Sequence, residues 1–360
     1  MPATTGMKGG GYYDQHSGAQ LSAIQAFQDW VADAVASLPL PAPARPVTAL
    51  DLGSSEGRNA VRLMASIVAG LRRRTDQPLQ TIYSDLASND FNRLFANLEE
   101  ARRAGPSGAG VYAGAVGGSF YGPLLPPGTV HLATSFNAIH WLDRLPAVPL
   151  TDSVAYRRPL PTRTELAVSP PEATAAFARQ AEQDLVRFLD CRARELVPGA
   201  KLLLASPGDT DQVRLCDGLY DILNDACVDL VAHGRLEREG HERLTMPCYY
   251  RTVAELLAPL EREDSPVRDA FTVDRAEALE VPTPYIVQFR RDGDVAAYAG
   301  AYTGSLRAVS EPVVRAALNQ PEVEVGTVEC LYERIRARLL AEPERYSWRY
   351  ILVAALLTRR

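Results

Sequence analysis

The sequence predicts an α/β protein built on a doubly wound, mostly parallel sheet. Three observations carry that expectation. An apolar run, Val47 to Leu52, ends in an acid (Asp51), a glycine turn (Gly53) and a helix start near Asn59, the join that opens a nucleotide-shaped crevice in such sheets. A second short strand closes on another acid, Asp85, which follows Asp51 by 34 residues, the length of one β-α-β unit. From there to Ser206, strand-like and helix-like segments alternate between Pro and Gly breaks.

Taken in order, Leu21 to Leu38 reads as one helix, with apolar residues at Leu21, Ile24, Phe27, Val31 and Val35. Pro39 to Pro46 ends it. The first strand is followed by a helix from Asn59 to Arg74, a second strand over Gln80–Ser84, and a helix from Asn89 to Arg103. Gly110 to Val116 and Val130 to Ser135 are the third and fourth strands. The proline-rich stretch Pro146–Pro171 is too long for an ordinary connector and is expected to cover the substrate. A long helix, Pro171 to Val197, stops at Pro198-Gly199, and Lys201–Ser206 is the fifth strand. Helices over Val213–His233 and Thr252–Leu260 break the β/α rhythm and predict a cap over the crevice. Phe271–Val281 is a strand, Leu306–Leu318 and Val323–Leu340 are helices, and Ser347–Leu357 is the last strand. One of the two final strands is expected to be reversed. The organisation expected is a core with an amino-terminal arm over 1–208, a helical cap over 209–270, and remaining core strands over 271–360 with further cap helices over about 300–340.

A net charge of −6 with no basic stripe excludes nucleic acid and anionic membranes as expected partners. No apolar run reaches membrane-spanning length, and Met1–Gly11 has no apolar leader, so a soluble, cytoplasmic protein is expected. The five cysteines are sparse, with no C-x-x-C, and read as free thiols in a reducing compartment. His131, His140, His233 and His241 are scattered without ligand spacing, so no metal is expected. Lys8 and Lys201 are the only lysines among 38 basic residues, the bias of a GC-rich genome, and a bacterial source is expected.

The first loop is not a dinucleotide fingerprint, because Ser55 stands where its second glycine is needed. A nucleoside ligand without a pyrophosphate fits better, and S-adenosylmethionine (SAM) leads that class. Asp51 can balance its ammonium or sulfonium, and Asp85 can accept from both ribose hydroxyls. Either acid alone reads equally well as a cap or turn former; both together, with Gly53, point to a ligand. Gly117 to Gly122 lets backbone approach closely and offers Phe120 and Tyr121 to cover a purine. His140-Trp141 follows the fourth strand at the same rim. Each residue alone is more often structural, but together they offer two donors to an anionic substrate. The glycine-rich Met7–Tyr13, followed by Ser17 and Gln20, reads as an arm that folds over the ligand.

These pieces, in this order, resemble the plant-type SABATH methyltransferases, which include carboxyl methyltransferases of salicylate, benzoate, jasmonate and indole-acetate and the caffeine-pathway N-methyltransferases. Met7 to Gly10 matches the family's Met-Lys-Gly-Gly, and Tyr13 with Ser17 and Gln20 its Tyr…Asn-Ser-x-x-Gln element. Asp51-Leu52-Gly53-Ser54-Ser55-Glu56-Gly57-Arg58-Asn59 stands for Asp-Leu-Gly-Cys-Ser-Ser-Gly-Pro-Asn, and Asp85 to Asn92 for Asp-Leu-Pro-Gly-Asn-Asp-Phe-Asn. Gly118-Ser119-Phe120-Tyr121-Gly122 and His140-Trp141-Leu142 are intact, and Phe188 to Gly199 matches the helix before the fifth strand.

The resemblance implies a Rossmann-like class I methyltransferase sheet of seven strands with a helical cap. It implies a cofactor set of Tyr13, Gly53, Ser54, Asn59, Asp85, Leu86, Ser119, Phe120 and Ser135, with Asp51 by the methionyl end. It implies Gln20 and Trp141 as the two donors that hold an acceptor carboxylate, His140 as a pocket wall or third donor, and Tyr13 and Asn137 beside the acceptor. Family members are commonly homodimers. The implied reaction is SAM-dependent methylation of a small aromatic or terpenoid carboxylic acid, leaving S-adenosylhomocysteine (SAH). Glu56, Arg58, Phe136, Asn137 and the proline-rich stretch depart from the family pattern, so acceptor identity does not carry over. A carboxylate, ionised at neutral pH, needs no general base, so positioning carries the rate. An N- or phenolic O-methyltransferase with His140 as base is the nearest rival. A non-catalytic SAM-binding protein and a nicotinamide oxidoreductase are weaker.

Overall fold

The computed structural model describes residues 6–43, 45–104, 110–150, 152–318 and 325–360. Among them, the first half of the chain runs α1 (Tyr12–His16), α2 (Gly18–Ala26), α3 (Gln28–Ser37), β1 (Val47–Leu52), α4 (Arg58–Arg72), β2 (Leu79–Asp85), α5 (Phe91–Ala104), β3 (Val111–Gly117) and β4 (Val130–Phe136). The second half runs α6 (Pro171–Glu195), β5 (Leu196–Pro207), α7 (Cys216–Leu219), α8 (Asp221–Ala232), α9 (Arg238–Arg243), α10 (Val253–Glu261), β6 (Phe271–Glu280), α11 (Pro284–Asp292), α12 (Val295–Ala317), α13 (Val325–Ala341) and β7 (Ile351–Arg359).

The strands form one seven-stranded sheet in the order β3-β2-β1-β4-β5-β7-β6. Pairing is parallel from β3 through β5, and β7 is antiparallel to both neighbours, so β7 is the reversed strand. β1 and β4 are buried along their whole length, polar residues such as Thr48, Asp51, Thr134 and Ser135 included. Successive residues feed opposite faces. Val47 and Ala49 of β1, with Leu203 and Ala205 of β5, join the layer built on Phe27, Trp30, Leu63 and Ile67. Leu50, Leu52, Leu202 and Leu204 join the layer built on Leu185, Phe188, Leu189 and Leu256. The strand order turns back between β1 and β4, which places the crevice at the carboxyl ends of β1, β2 and β4.

Two expectations are corrected. The helix read over Leu21–Leu38 is α2 and α3, separated at Phe27, whose φ of −113° breaks the helix while its side chain stays fully buried. The helix read over Val213–His233 is interrupted at Asp217-Gly218, because Gly218 (φ 76°) lies directly beneath the carbonyl of Ser347. In the proline-rich stretch Val154, Ala155 and Leu160 are buried, and Tyr156 stacks between Phe177 of α6 and Tyr249.

Candidate active site

The chain reverses at Gly53 as it leaves β1. Gly53 has φ 93°, and a Cβ there would lie 2.5 Å from the Cβ of Ala138, so only glycine fits. The N–H groups of Ser55 and Leu86 donate to the Asp85 carboxylate at 2.7 and 2.8 Å. A carboxylate has about four acceptor positions, so Asp85 keeps two open. It faces a cavity whose empty space, open solvent at its mouth included, is about 640 Å³. Gly53, Ser55, Leu86, Ser119 and Phe120 share that wall. The Ser119–Phe120 loop is held from below by α6. Arg192, fully buried, donates to the carbonyls of Phe120 and Gly122 at 2.8 and 3.0 Å and to Glu195 at 2.9 Å, and Glu195 accepts from Leu124 N–H.

Asp51 sits one layer behind this wall. Its carboxylate accepts from the hydroxyls of Ser54 and Thr134 at 2.8 and 3.0 Å. Burial raises its pKa to about 6, against those two hydroxyls and with the charge of Asp85 adding to the rise. The raised value favours folding with the proton on, a contribution present at acid pH and lost as pH rises through about 6. Asp51→Asn is therefore expected to stabilise the ligand-free protein at pH 7.5 by about 2–3 kcal/mol, at 1.36 kcal/mol per pKa unit, and to have little effect near pH 3, below the unfolded-chain value. Thermal midpoints at the two pH values check this.

The arm lies over the cavity. Glu56, one of the departures from the family pattern, is buried and accepts from the N–H groups of Gly11 and Asp14 at 2.5 and 2.9 Å, holding the start of α1. Lys8 bonds Glu311 of α12 at 2.5 Å, and its N–H donates to the carbonyl of Ala308 at 2.9 Å. Against the burial that would raise it, Lys8, Arg307 and Arg315 hold the Glu311 carboxyl down to about 2. The arm is thereby fastened to α12.

A second cavity, about 570 Å³, adjoins the first. Met7, Tyr13, Asn137 and Trp141 line both. Gln20 and His140 line only the second, and the buried Gln20 side-chain oxygen has no hydrogen-bond partner. Rotation about the last bond exchanges the two ends of that amide, so either can meet a ligand. Trp141 is fixed through its backbone, whose carbonyl accepts from the Tyr121 hydroxyl at 2.6 Å. His140 stacks on Tyr250 and lies 3.5 Å from the Ser206 hydroxyl. Burial, with the nearby Arg251 guanidinium, lowers its pKa to about 3.

A model of the family of SAM dependent carboxyl methyltransferases matches residues 3–360. The chain belongs to that family. It is 33% identical over 304 residues to indole-3-acetate O-methyltransferase 1 of Oryza sativa subsp. japonica, covering 76% of this chain and 72% of that one. Gibberellic acid methyltransferase 2 of Arabidopsis thaliana is 28% identical, covering 85% and 82%. A solved structure, loganic acid methyltransferase with SAH, superposes with a TM-score of 0.78 at 23% identity over 98% of both chains, which shows the shared fold. As a SAM dependent carboxyl methyltransferase, the chain uses SAM as methyl donor. The open positions on Asp85, the partnerless buried hydroxyl of Ser55 and the uncompensated carboxylate of Asp51 fit a cationic nucleoside with a ribose diol.

Not every family motif residue reaches a cavity. Tyr13, Gly53, Asp85, Leu86, Ser119 and Phe120 line the first, and Tyr13, Gln20, Asn137, His140 and Trp141 the second. Ser54 is spent on Asp51, and Asp51 lies behind it. Asn59 donates to the carbonyl and hydroxyl of Ser17 at 3.1 and 3.0 Å, so it anchors the arm. Ser135 donates to the carbonyl of Leu52 at 3.1 Å, joining β4 to β1. Asn137 lies at φ 55°, and its side-chain amide oxygen accepts from the Tyr350 hydroxyl. The sequence reading missed Ser55, and it missed other residues lining the second cavity, among them Leu219, Tyr220, Ser305 and Trp348. For Ser55 the signal was its place between Gly53 and Gly57; the others carry no local signal. Among the described residues no His/Cys/Asp/Glu group is placed to hold a metal, and no helix is long and apolar enough to cross a membrane.

Proposed function

We propose that the protein methylates the carboxylate of a small aromatic or terpenoid acid to give a methyl ester. The observation that carries this reading is the convergence of Gln20 and Trp141 on one cavity that opens into the donor cavity. When bound, SAM supplies an electrophilic methyl group on its sulfonium. Asp85 would hold the ribose hydroxyls, Phe120 would cover the purine, Leu86, Ser119 and Tyr13 would complete that wall, and Asp51 would balance positive charge from behind. The Gln20 amide and the Trp141 indole N–H would grip the acceptor carboxylate and aim one oxygen at the donor cavity. No proton has to move, since a carboxylate with a pKa near 4 is already ionised. The arm and the cap, residues 209–270 with α12, shed water from the nucleophile.

His140 weighs against the rival N- or phenolic O-methylation. A general base works best with a pKa near the working pH, and this imidazole stays neutral down to about pH 3. Its place is that of a wall or third donor. With both substrates saturating, kcat is expected to follow the ionisation of the acid and then stay flat from about pH 5 to 9. A step near pH 6.5 would instead favour base-assisted methylation. A screen of small aromatic and terpenoid acids read by SAH release is the companion test; no turnover with any acid would sink the reading.

A cytoplasmic, bacterial homodimer completes the proposal. The five free cysteines support a reducing compartment, the arginine bias supports the source, and the resemblance to the SABATH enzymes supports the dimer.

A further inference from the structure

Part of the acceptor cavity's wall comes from a segment with little regular structure of its own. Leu215, Leu219 and Tyr220 line the cavity. They follow the loop that leaves β5 at Pro207, and α7, which carries Leu219, has four residues with a non-helical break at Asp217-Gly218. Side chains on such a segment stay in place only if other groups hold it. The proline-rich stretch does so. No described residue between Pro146 and Pro171 lines either cavity, yet the stretch bonds this loop at successive points. Arg158 Nε lies 3.3 Å from the buried Asp209 carboxylate, which accepts from the Leu215 N–H at 2.8 Å. The Thr162 hydroxyl donates to the carbonyl of Asp211 at 2.8 Å. Arg214, also buried, donates to the carbonyls of Arg158 and Ala167 at 3.0 and 2.7 Å and pairs with Asp217 at 3.0 Å. Arg157 donates to one oxygen of Asp221 at 2.6 Å, and the other accepts from the Gly218 N–H at 2.8 Å. The Arg158 guanidinium donates further to the Tyr249 hydroxyl at 3.0 Å and to Glu255 at 2.6 Å. Tyr249 precedes Tyr250, which lines the cavity, stacks on His140 and bonds the Tyr220 hydroxyl at 3.2 Å. Arg158 therefore reaches two parts of the wall at once.

We propose that the proline-rich stretch is a clamp that sets the shape of the acceptor cavity from outside it, with Arg158 and Arg214 as positioning residues that hold Leu215, Leu219 and Tyr220 against the carbon skeleton of the acid. This rests on the carboxylate reading above, which makes the second cavity the acceptor's. The guanidinium fork matters as much as the charge, because each arginine meets several partners at fixed angles and an ammonium on a flexible stem does not.

The test uses the full chain with Arg158→Lys and with Arg214→Lys, which keep the charge and give up the fork. SAH release with indole-3-acetate, cinnamate and the other acids of the screen above gives kcat and KM. Calorimetry gives SAH affinity, and hydrogen exchange follows the backbone amides of 209–221. In both variants KM for the accepted acid is expected to rise about tenfold while kcat stays within about threefold. SAH affinity is expected to be unchanged, and exchange over 209–221 to quicken by about tenfold. A fall in kcat at constant KM, the mark of lost active protein, overturns the proposal. So does an unchanged KM in both variants, which would make the stretch a brace for the fold alone, and so does exchange over 209–221 that matches the parent. A parent that binds SAH but methylates no acid of the screen removes the carboxylate reading itself and this inference with it.

Discussion

Trp141→Phe is expected to lower kcat/KM for the acid by about 100-fold, the loss of one donor to a charged acceptor, while SAH binds as before. The phenyl ring keeps most of the packing around the buried indole, and only the N–H is removed. The backbone of Trp141 is held independently, by the Tyr121 hydroxyl on its carbonyl and by its pairing with Cys248, so the side chain can change without displacing the loop. Steady-state kinetics with calorimetry of SAH separates the outcomes. A parallel loss of SAH affinity would move Trp141 to the donor site, and full activity would remove it from the acceptor grip.

Asp85→Ala is expected to weaken SAH binding by about 10³-fold, the scale of two lost charge-assisted hydrogen bonds at roughly 1.5–3 kcal/mol each. The same change frees the N–H groups of Ser55 and Leu86, which Asp85 now ties, so the first loop also loses its brace. Burial raises the Asp85 pKa against those two bonds, which means the folded chain maintains this carboxylate at some cost. Strained and desolvated groups of that kind concentrate at binding sites. Calorimetry of the variant checks the expectation; an affinity within about fivefold of the parent would assign Asp85 to loop structure alone.

The core of the fold is legible in the sequence because its elements carry their own punctuation. β1 and β4 are short, largely apolar segments bounded by breaks such as Pro46 and Gly53, and Asp51 and Asp85 mark the ends of adjacent strands. The breaks that escape notice are made by tertiary contacts. Nothing local separates α2 from α3, since Phe27 falls in helical register with Ile24 and Val31 and is simply turned into the core. The start of α12 reads as a loop because Gly300 and Gly304 dilute it, and Gly304 is there because the His16 ring of the arm occupies the space a Cβ would need.

The candidate site divides in the same way. Loop residues at strand ends, such as Asp85, Phe120 and Trp141, reach the cavities because the strand places them there. Asn59 and Ser54 stand in the same motifs, yet Asn59 bonds Ser17 of the arm and Ser54 bonds Asp51. A motif match does not distinguish a residue that touches the ligand from one that holds the residue that does. The acceptor cavity's far wall comes from segments some two to three hundred residues beyond the arm. No pattern in Leu219, Ser305 or Trp348 announces that they meet.

Carboxyl methylation can be read directly from the product. After turnover with methyl-labelled SAM and an accepted acid, the account predicts label in an ester that mild alkali releases as volatile methanol. Label that stays on the acceptor through the same treatment would show transfer to nitrogen, carbon or a phenol, and would contradict the grip assigned to Gln20 and Trp141.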